Sequence, residues 1–511
     1  MKSTAFLLMI ITVISKFLGL LRESLLAKYF ATGIVADAFN IAMDLPILIF
    51  SFVAVGISTG FIPTYKRIEK DEGVLLANKF TSNMGNVSII IGIVIVIFCE
   101  IFAGPLTKLL AYNFPEKSHA LATSFLRITY LSLVATSVAT VYRGYLYARE
   151  NYLVPAIQGF ILNFFIIVSI ILGSKINIYI LPIGLTLGTM VQFIPYFPAV
   201  RKTGFKWTPK INWSDKYLKS MLYLAIPVIF GVSVSQIGVM IDKNLATFIQ
   251  SVGGYSTMKY ASRLSEFVNG IVVVSIGTVA YTALSESTAS RDIRKFKRMI
   301  LSSMDSMNIL VYPASIGLMV YAIPIVNLAF NRGEWTQQNT IITAQTLQCY
   351  AFGLVGIAFR DILLKSFYAL KDTKTPTINS VYMIFVDLIL SLIAAYFIGL
   401  PGLALGTSLG AYFGSFTLAI RLKRKVGRFG GIRIFLRENT KMILSSLIMG
   451  GLSYLLYKFI LNYLGSTISL LIAVIFAVIV YGLCLYLLNV RELFRTLNSF
   501  KNKFGKIRKR G

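Results

Sequence analysis

The 511-residue chain is short of charge. Asp, Glu, Lys and Arg make up 14% of it, against roughly 25% in an ordinary soluble domain. Acid is scarcest, with 21 Asp plus Glu against 50 Lys plus Arg, and there are one histidine and three cysteines. So few ligand-type side chains exclude a Cys/His metal framework and a disulfide scaffold. Cys99, Cys349 and Cys484 lie far apart inside apolar runs and read as packing residues. His119 sits near a turn and reads as a surface residue. No nucleophile–base set, phosphate loop or metal motif is present, so the sequence predicts no enzyme.

What is abundant is apolar sequence, 56% of the chain. It comes in blocks. Residues 80–99, 152–174, 176–200, 306–331, 335–359 and 388–420 contain no Asp, Glu, Lys or Arg. A membrane-spanning helix needs about 20 such residues, whereas a transmembrane β-barrel shows ~10-residue alternating segments. A soluble enzyme and a barrel are thus excluded. The net charge of +29 does not point to nucleic acid, because the basic residues lie in short connections between apolar runs, as the positive-inside rule requires. After Met1-Lys2 the first apolar stretch has no small-residue cleavage site, and no cleaved signal peptide is predicted.

The pattern predicts an all-α polytopic membrane protein of fourteen spans: 4–27, 36–63, 80–104, 119–146, 152–174, 177–200, 219–249, 255–285, 300–329, 336–369, 376–398, 401–422, 440–460 and 466–490. Gly399-Leu400-Pro401-Gly402 divides the run 388–420, which is too long for one span at 1.5 Å per residue. Basic connections (Lys66-Arg67, Arg143 with Arg149, Arg201 to Lys219, Arg291 to Arg298, Lys365 to Lys374, Arg421 to Lys441, Lys501 to Arg510) alternate with connections poor in Lys and Arg. Basic loops stay in the cytoplasm, so both termini are expected there.

Tyr147-Ala148 followed by Pro155 recurs as Tyr368-Ala369 followed by Pro376, and the same offset pairs Gly56 with Gly277 and Arg22 with Lys243. Two six-helix lobes of one orientation follow: an N-terminal lobe 1–200, a cytoplasmic linker 201–218 and a C-terminal lobe 219–425. Two extra helices (426–490) and a basic tail (491–511) complete the chain. Parallel repeats of this kind occur in secondary transporters, with the site between the repeats.

Ionisable groups within spans cost about 2.5–3.5 kcal/mol each on insertion scales and mark functional sites. Lys16, Arg22 and Glu23 lie on the first span, Asp37 and Asp44 on one face of the second, Asp242 and Lys243 on the seventh, and Arg263 and Glu266 on the eighth. Cations at Lys16, Arg22, Lys243 and Arg263 would attract an anion, and the arginine fork matches phosphate oxygens. Asp37 and Glu266 are expected to hold these cations while no anion is bound. Lys28 and Lys259 are expected at the interface. Asp387 and Ser391 share a face of the eleventh span; with Thr407 and Asp242 they form a candidate site for a small monovalent cation or a proton, or else a plain helix contact.

Ser15-Lys16-Phe17-Leu18-Gly19-Leu20-Leu21-Arg22-Glu23 resembles the S-R-x-L-G-x-x-R-[DE] opening of the MurJ/MviN lipid II flippases. Ala36-Asp37-Ala38-Phe39 with Leu45-Pro46, Gly231-Val232-Ser233-Val234-Ser235-Gln236-Ile237 and Tyr260-Ala261-Ser262-Arg263-Leu264-Ser265-Glu266-Phe267 resemble further family segments. Phe367-Tyr368-Ala369-Leu370-Lys371-Asp372-Thr373-Lys374-Thr375-Pro376 is similar to F-Y-A-x-x-D-T-[KR]-T-P. The resemblance implies a MOP-superfamily (MATE-like) fold in a bacterial cytoplasmic membrane and movement of undecaprenyl-pyrophosphate-linked peptidoglycan precursor to the outer leaflet. It also implies substrate contacts at Lys16, Arg22 and Arg263, acids at Asp37 and Glu266, Na+ coupling at Asp242, Asp387, Ser391 and Thr407, and a lipid-tail groove on the last two helices. Membrane lipids and the cell-wall synthesis machinery are the implied partners. Three departures stand out: no arginine pair follows Leu45-Pro46, Lys16 replaces an arginine, and Asp44 adds a negative charge. A flippase for another lipid-linked oligosaccharide, a cation-coupled drug exporter and a membrane scaffold are the alternatives.

Overall fold

The computed structural model describes residues 2–289 and 292–495, without the side chains at 2–6, 9, 58–59, 224–228, 230–235, 237 and 289. The basic tail 501–510 and most side chains of the 231–237 motif therefore lie outside the described residues.

Every regular element among the described residues is helical. The first half carries α1 (Lys2–Phe30), α2 (Ile34–Asp71), α3 (Val74–Ile101), α4 (Ala103–Leu110), α5 (Glu116–Tyr130), α6 (Ser132–Ala148), α7 (Leu153–Lys175), α8 (Ile180–Val191) and α9 (Tyr196–Arg201). The second carries α10 (Lys216–Ile249), α11 (Gly254–Ala289), α12 (Ile293–Val320), α13 (Ala322–Phe330), α14 (Gln337–Ala369), α15 (Lys374–Ile398), α16 (Leu400–Val426), α17 (Ile432–Leu461) and α18 (Ser466–Leu487). By length and composition ten helices can cross a membrane, or twelve if each bent pair is one span. The expected count of fourteen is not established on that measure, and α1 and α10, which are not among the ten, both contain undescribed side chains.

Two expected single spans are broken. Span 119–146 is α5 and α6, bent by 43°, and span 300–329 is α12 and α13, bent by 75°. Span 177–200 remains one candidate span, Ile180–Arg201, but its ladder tightens between α8 and α9 at Gln192–Pro195, where Ile194 N–H and Tyr196 N–H reach back three residues to Val191 and Phe193. Pro195 has no N–H of its own to continue the ladder.

Packing groups the helices into two compact units. The first is Met1–Lys259 with Phe330–Asn339, and the second is Tyr260–Ala329 with Thr340–Gly511. This grouping by contact is a different partition from the sequence repeat, since it takes α10 with the first unit. The core of the first unit lies between α2, α3 and α6, where Phe61, Tyr65, Phe80 and Tyr145 are fully or almost fully buried. That of the second gathers Phe296, Met307, Ala358, Ile362 and Phe367.

In the second unit α15 and α16 lie backbone to backbone. Gly402, Gly406, Gly410 and Gly414 recur every four residues along one face of α16 and meet Ala394–Ala395, Ser391, Asp387 and Met383 of α15 in turn. A Cβ at Gly406 would run into the backbone N and Cα of Ser391. Inside a bilayer, close approach through small residues substitutes for the hydrophobic drive that water would supply.

The turn from α14 to α15 carries the Asp-Thr-Lys-Thr-Pro motif. Asp372 accepts from the Thr375 N–H (3.0 Å), the Thr375 hydroxyl (2.8 Å) and Lys425 Nζ of α16 (2.5 Å). Partial burial raises its carboxyl, but these donors outweigh that and bring it down to about 2.

Two outcomes follow. Ala normally stabilises a helix over Gly by roughly 0.5–1 kcal/mol, yet Gly406→Ala is expected to lower the thermal midpoint, by overpacking worth about 1–3 kcal/mol. Gly451→Ala on α17, where a Cβ meets nothing within 4 Å, should be neutral or stabilising. Asp372→Asn should cost ~2 kcal/mol at pH 7.5. Because the native carboxyl lies below its unfolded value, that stability is fully present above about pH 4 and is lost as pH falls toward 2. Melts of the two proteins should therefore converge in acid.

Candidate functional site

Several of the charges within the spans gather into clusters inside each unit. At the third turn from the end of α1, Arg22 is buried. Its Nη2 donates to Glu23 Oε1 at 2.5 Å and its Nη1 to Asn163 Oδ1 of α7 at 3.0 Å. Asn163 is itself fixed by donating to the Gly159 carbonyl at 2.8 Å. The Nε–H of Arg22 has no hydrogen-bond partner among the described residues. A buried guanidinium with a donor to spare is unusual, since an unmade hydrogen bond costs about 1–3 kcal/mol, more on a charged group. Lys16 lies half-buried on the same helix.

Asp37 does not serve a cation. Its Oδ2 accepts from Gly253 N–H at 2.6 Å, and its Oδ1 from the N–H and hydroxyl of Ser256 at 2.8 and 2.6 Å. It therefore clamps the turn between α10 and α11, satisfying N–H groups that a helix start leaves open. Gly253 has φ +86°, and a Cβ there would press on the Thr32 carbonyl at 2.6 Å. Asp37 was expected to hold the cations; the donors it meets here are those of the turn.

Asp44 does that work instead. Its Oδ2 meets Lys243 Nζ at 2.8 Å and the Tyr255 hydroxyl at 2.9 Å, while Oδ1 meets Lys259 Nζ at 3.1 Å. Lys259 also donates to the Asn40 carbonyl at 3.5 Å. Lys259 was expected at the interface, but it is only 6% exposed. Its position a turn and a half into α11 aims it at α2, where an acceptor waits. Two lysines thus converge on one aspartate. Lys243 lies six residues, and Arg22 eight, from their helix ends, or about 9 and 12 Å at 1.5 Å per residue.

In the second unit, Arg263 Nη1 and Glu266 Oε2 pair at 3.0 Å across one helical turn, both substantially exposed. Asp387, Ser391 and Thr407 come together. The Ser391 hydroxyl reaches Asp387 Oδ1 at 3.1 Å and the Leu403 carbonyl at 3.2 Å, and Thr407 adds a second hydroxyl beside the carboxylate. One carboxylate, two hydroxyls and a carbonyl are hard oxygen donors that suit a small hard cation. Asp242 lies on α10, in the first unit. Among the described residues no group of three or more His, Cys, Asp or Glu could hold a metal.

Sequence reading missed a further set. On α14 Asp361 and Lys365 pair at 2.6 Å, facing Gly277 of α11, and Arg360 donates to Ser380 of α15 at 2.8 Å. The spacing of four between Asp361 and Lys365 was a usable signal, obscured by reading Lys365 as part of a loop. An apolar cavity of about 640 Å³ opens beside α17 in the same unit, lined among others by Phe359, Phe416 and Phe435, with Lys423 at its rim.

Removing Asp44 strands two cations. Asp44→Ala is expected to destabilise the protein by about 3–5 kcal/mol, and adding Lys259→Met should recover part of that loss. Thermal unfolding of the two single variants and the double variant reads the coupling. Strict additivity would show that the pair carries no energy.

Comparison with known proteins converges. The family described as Lipid II flippase MurJ matches residues 26–476. A protein of Thermotoga maritima named "Probable lipid II flippase MurJ" is 27% identical over 484 residues, covering 94% of this chain and 95% of its own length. A structure titled "Lipid II flippase MurJ, inward closed conformation" superposes with a TM-score of 0.81 at 27% identity, over 94% of this chain and 98% of that one. A MATE-family multidrug transporter of the MOP superfamily shares the fold, with a TM-score of 0.69 at 12% identity over 83% of this chain and 98% of that one. With its all-helical spans and a family match over most of its length, the chain belongs to the lipid II flippase MurJ family.

Proposed function

We propose that this protein moves lipid II, the polyprenyl-pyrophosphate-linked peptidoglycan precursor, from the inner to the outer leaflet of a bacterial cytoplasmic membrane. The observation that carries the reading is the set of cations within the spans of a family member: buried Arg22, whose Nε–H has no partner among the described residues, and Lys243 and Lys259, which converge on Asp44. A pyrophosphate offers acceptor oxygens to such groups. Arg263, exposed and paired with Glu266 one turn along its own helix, offers a further fork, and Lys16 a further point charge.

The transport cycle is alternating access. The headgroup binds from the cytoplasmic side, the polyprenyl tail remains in lipid, and the site then opens outward. Both termini and the basic loops stay in the cytoplasm, where peptidoglycan enzymes deliver the substrate. With the inside negative, outward movement of an anion is downhill by about 2.3 kcal/mol per charge per 100 mV. A sodium ion at Asp387, Ser391 and Thr407 would couple an inward cation gradient to the return step. The absent arginine pair after Leu45-Pro46, where Ile47 is instead 67% exposed, favours a second reading: a different lipid-linked oligosaccharide as cargo. Lipid analysis after depletion separates the two, since the inner leaflet accumulates whichever precursor is no longer moved.

In proteoliposomes, Arg22→Ala and Arg263→Ala should each slow headgroup translocation. Loss of a charge-assisted hydrogen bond, about 1.5–3 kcal/mol, corresponds to roughly 10–100-fold. Collapsing the membrane potential should slow the wild-type protein. Wild-type rates in both variants would overturn the assignment of the cations to the substrate.

A further inference from the structure

The first unit contains a groove that the transport reading does not use. Its upper part, about 780 Å³, is lined by Tyr142 of α6, Phe197, Val200 and Arg201 of α9, and Lys206 and Trp207 of the linker. A deeper part, about 350 Å³, continues along Leu131, Val134 and Val138 of α6 toward Met190 of α8. The two share Ile89, Val138, Tyr142 and Phe197, so they form one channel. It lies beside two irregularities: α5 bends into α6 at Leu131, and the helical ladder tightens between α8 and α9 at Gln192–Pro195.

Its mouth is built rather than loose. The linker is strapped to α3: Asn86 Nδ2 donates to the Thr208 and Lys210 carbonyls (2.7 and 2.9 Å). Ser82 accepts from Thr208 N–H (2.7 Å), and Asn83 exchanges bonds with Asn212 (2.9 and 2.8 Å). The Trp207 indole N–H is held by Asn86 Oδ1 at 2.8 Å. Arg201 and Lys206 therefore flank an indole fixed at the rim, and no carboxylate appears in the lining of either part.

Charge, shape and depth agree on one occupant. Tyr142 to Leu131 spans eleven residues, about 16 Å at 1.5 Å per residue, close to half of the ~30 Å hydrocarbon core. The basic rim belongs to a connection that the positive-inside rule places in the cytoplasm, where anionic headgroups attract basic residues. Trp at such a rim suits the glycerol level. We propose that this groove binds an anionic phospholipid of the cytoplasmic leaflet, its phosphate on Arg201 and Lys206 and one acyl chain along α6.

The test uses the full-length protein in nanodiscs of phosphatidylcholine and phosphatidylglycerol, with retained lipid counted by native mass spectrometry. Wild type should keep phosphatidylglycerol in preference to phosphatidylcholine. R201E/K206E should lower that retention roughly tenfold or more. K202E/K210E, which changes the same charge outside the lining, should leave it intact. V138F, which narrows the channel without altering charge, should also lower it. Equal retention of both lipids by wild type would mark an ordinary boundary lipid and overturn the proposal. So would unchanged retention in R201E/K206E, or displacement of phosphatidylglycerol by equimolar undecaprenyl phosphate, which would give the groove to the transported lipid.

Discussion

A charge placed in an apolar span must find its counterpart, and here the counterparts come from distant sequence. Asp44 draws Lys243 and Lys259 onto α2. Asp37, seven residues earlier and on the same face, is consumed by the α10–α11 turn. The two aspartates thus divide the labour: one closes the turn, the other gathers the lysines that the turn delivers. Were the turn to open, Lys259 would leave its partner, so the site's geometry depends on a backbone clamp rather than on the lysines themselves.

Much of this architecture could be read from the chain. Uncharged runs located the spans, and charges inside them named Arg22, Asp37, Asp44 and Lys243 without coordinates. Roles were harder. Asp44 looked like an unwanted negative charge because its partners lie 199 and 215 residues away, a separation over which local spacing carries no information. Asp37 looked like a counter-ion for the same reason. The bend at Leu131 has no Pro or Gly beside it, so nothing local announced it. Pro195 and Pro324, by contrast, sit at or near the other irregularities and were legible in principle. The four-residue recurrence of glycine on α16 was equally visible, although only contact with α15 gives it meaning.

The polar bonds that arrange the first unit are largely made by amides. Asn163 orients Arg22, Asn40 meets the Ser256 hydroxyl at 3.0 Å, and Asn83 and Asn86 hold the linker. An amide can donate and accept at once without carrying charge. That suits a membrane protein, where each extra ion has to be compensated. Cations are thereby reserved for a few positions, and neutral groups do the fastening.

The glycine face of α16 has a mechanical corollary. Because α16 presents only glycine along that seam, Ala394–Ala395, Ser391, Asp387 and Met383 of α15 approach its main chain directly, and the two helices meet over a narrow surface. Neither helix can roll about its axis without lifting its neighbour, so the two behave as a single stiff beam. Asp387 and Ser391, seated in that seam against Gly410 and Gly406, keep their mutual placement when the beam tilts.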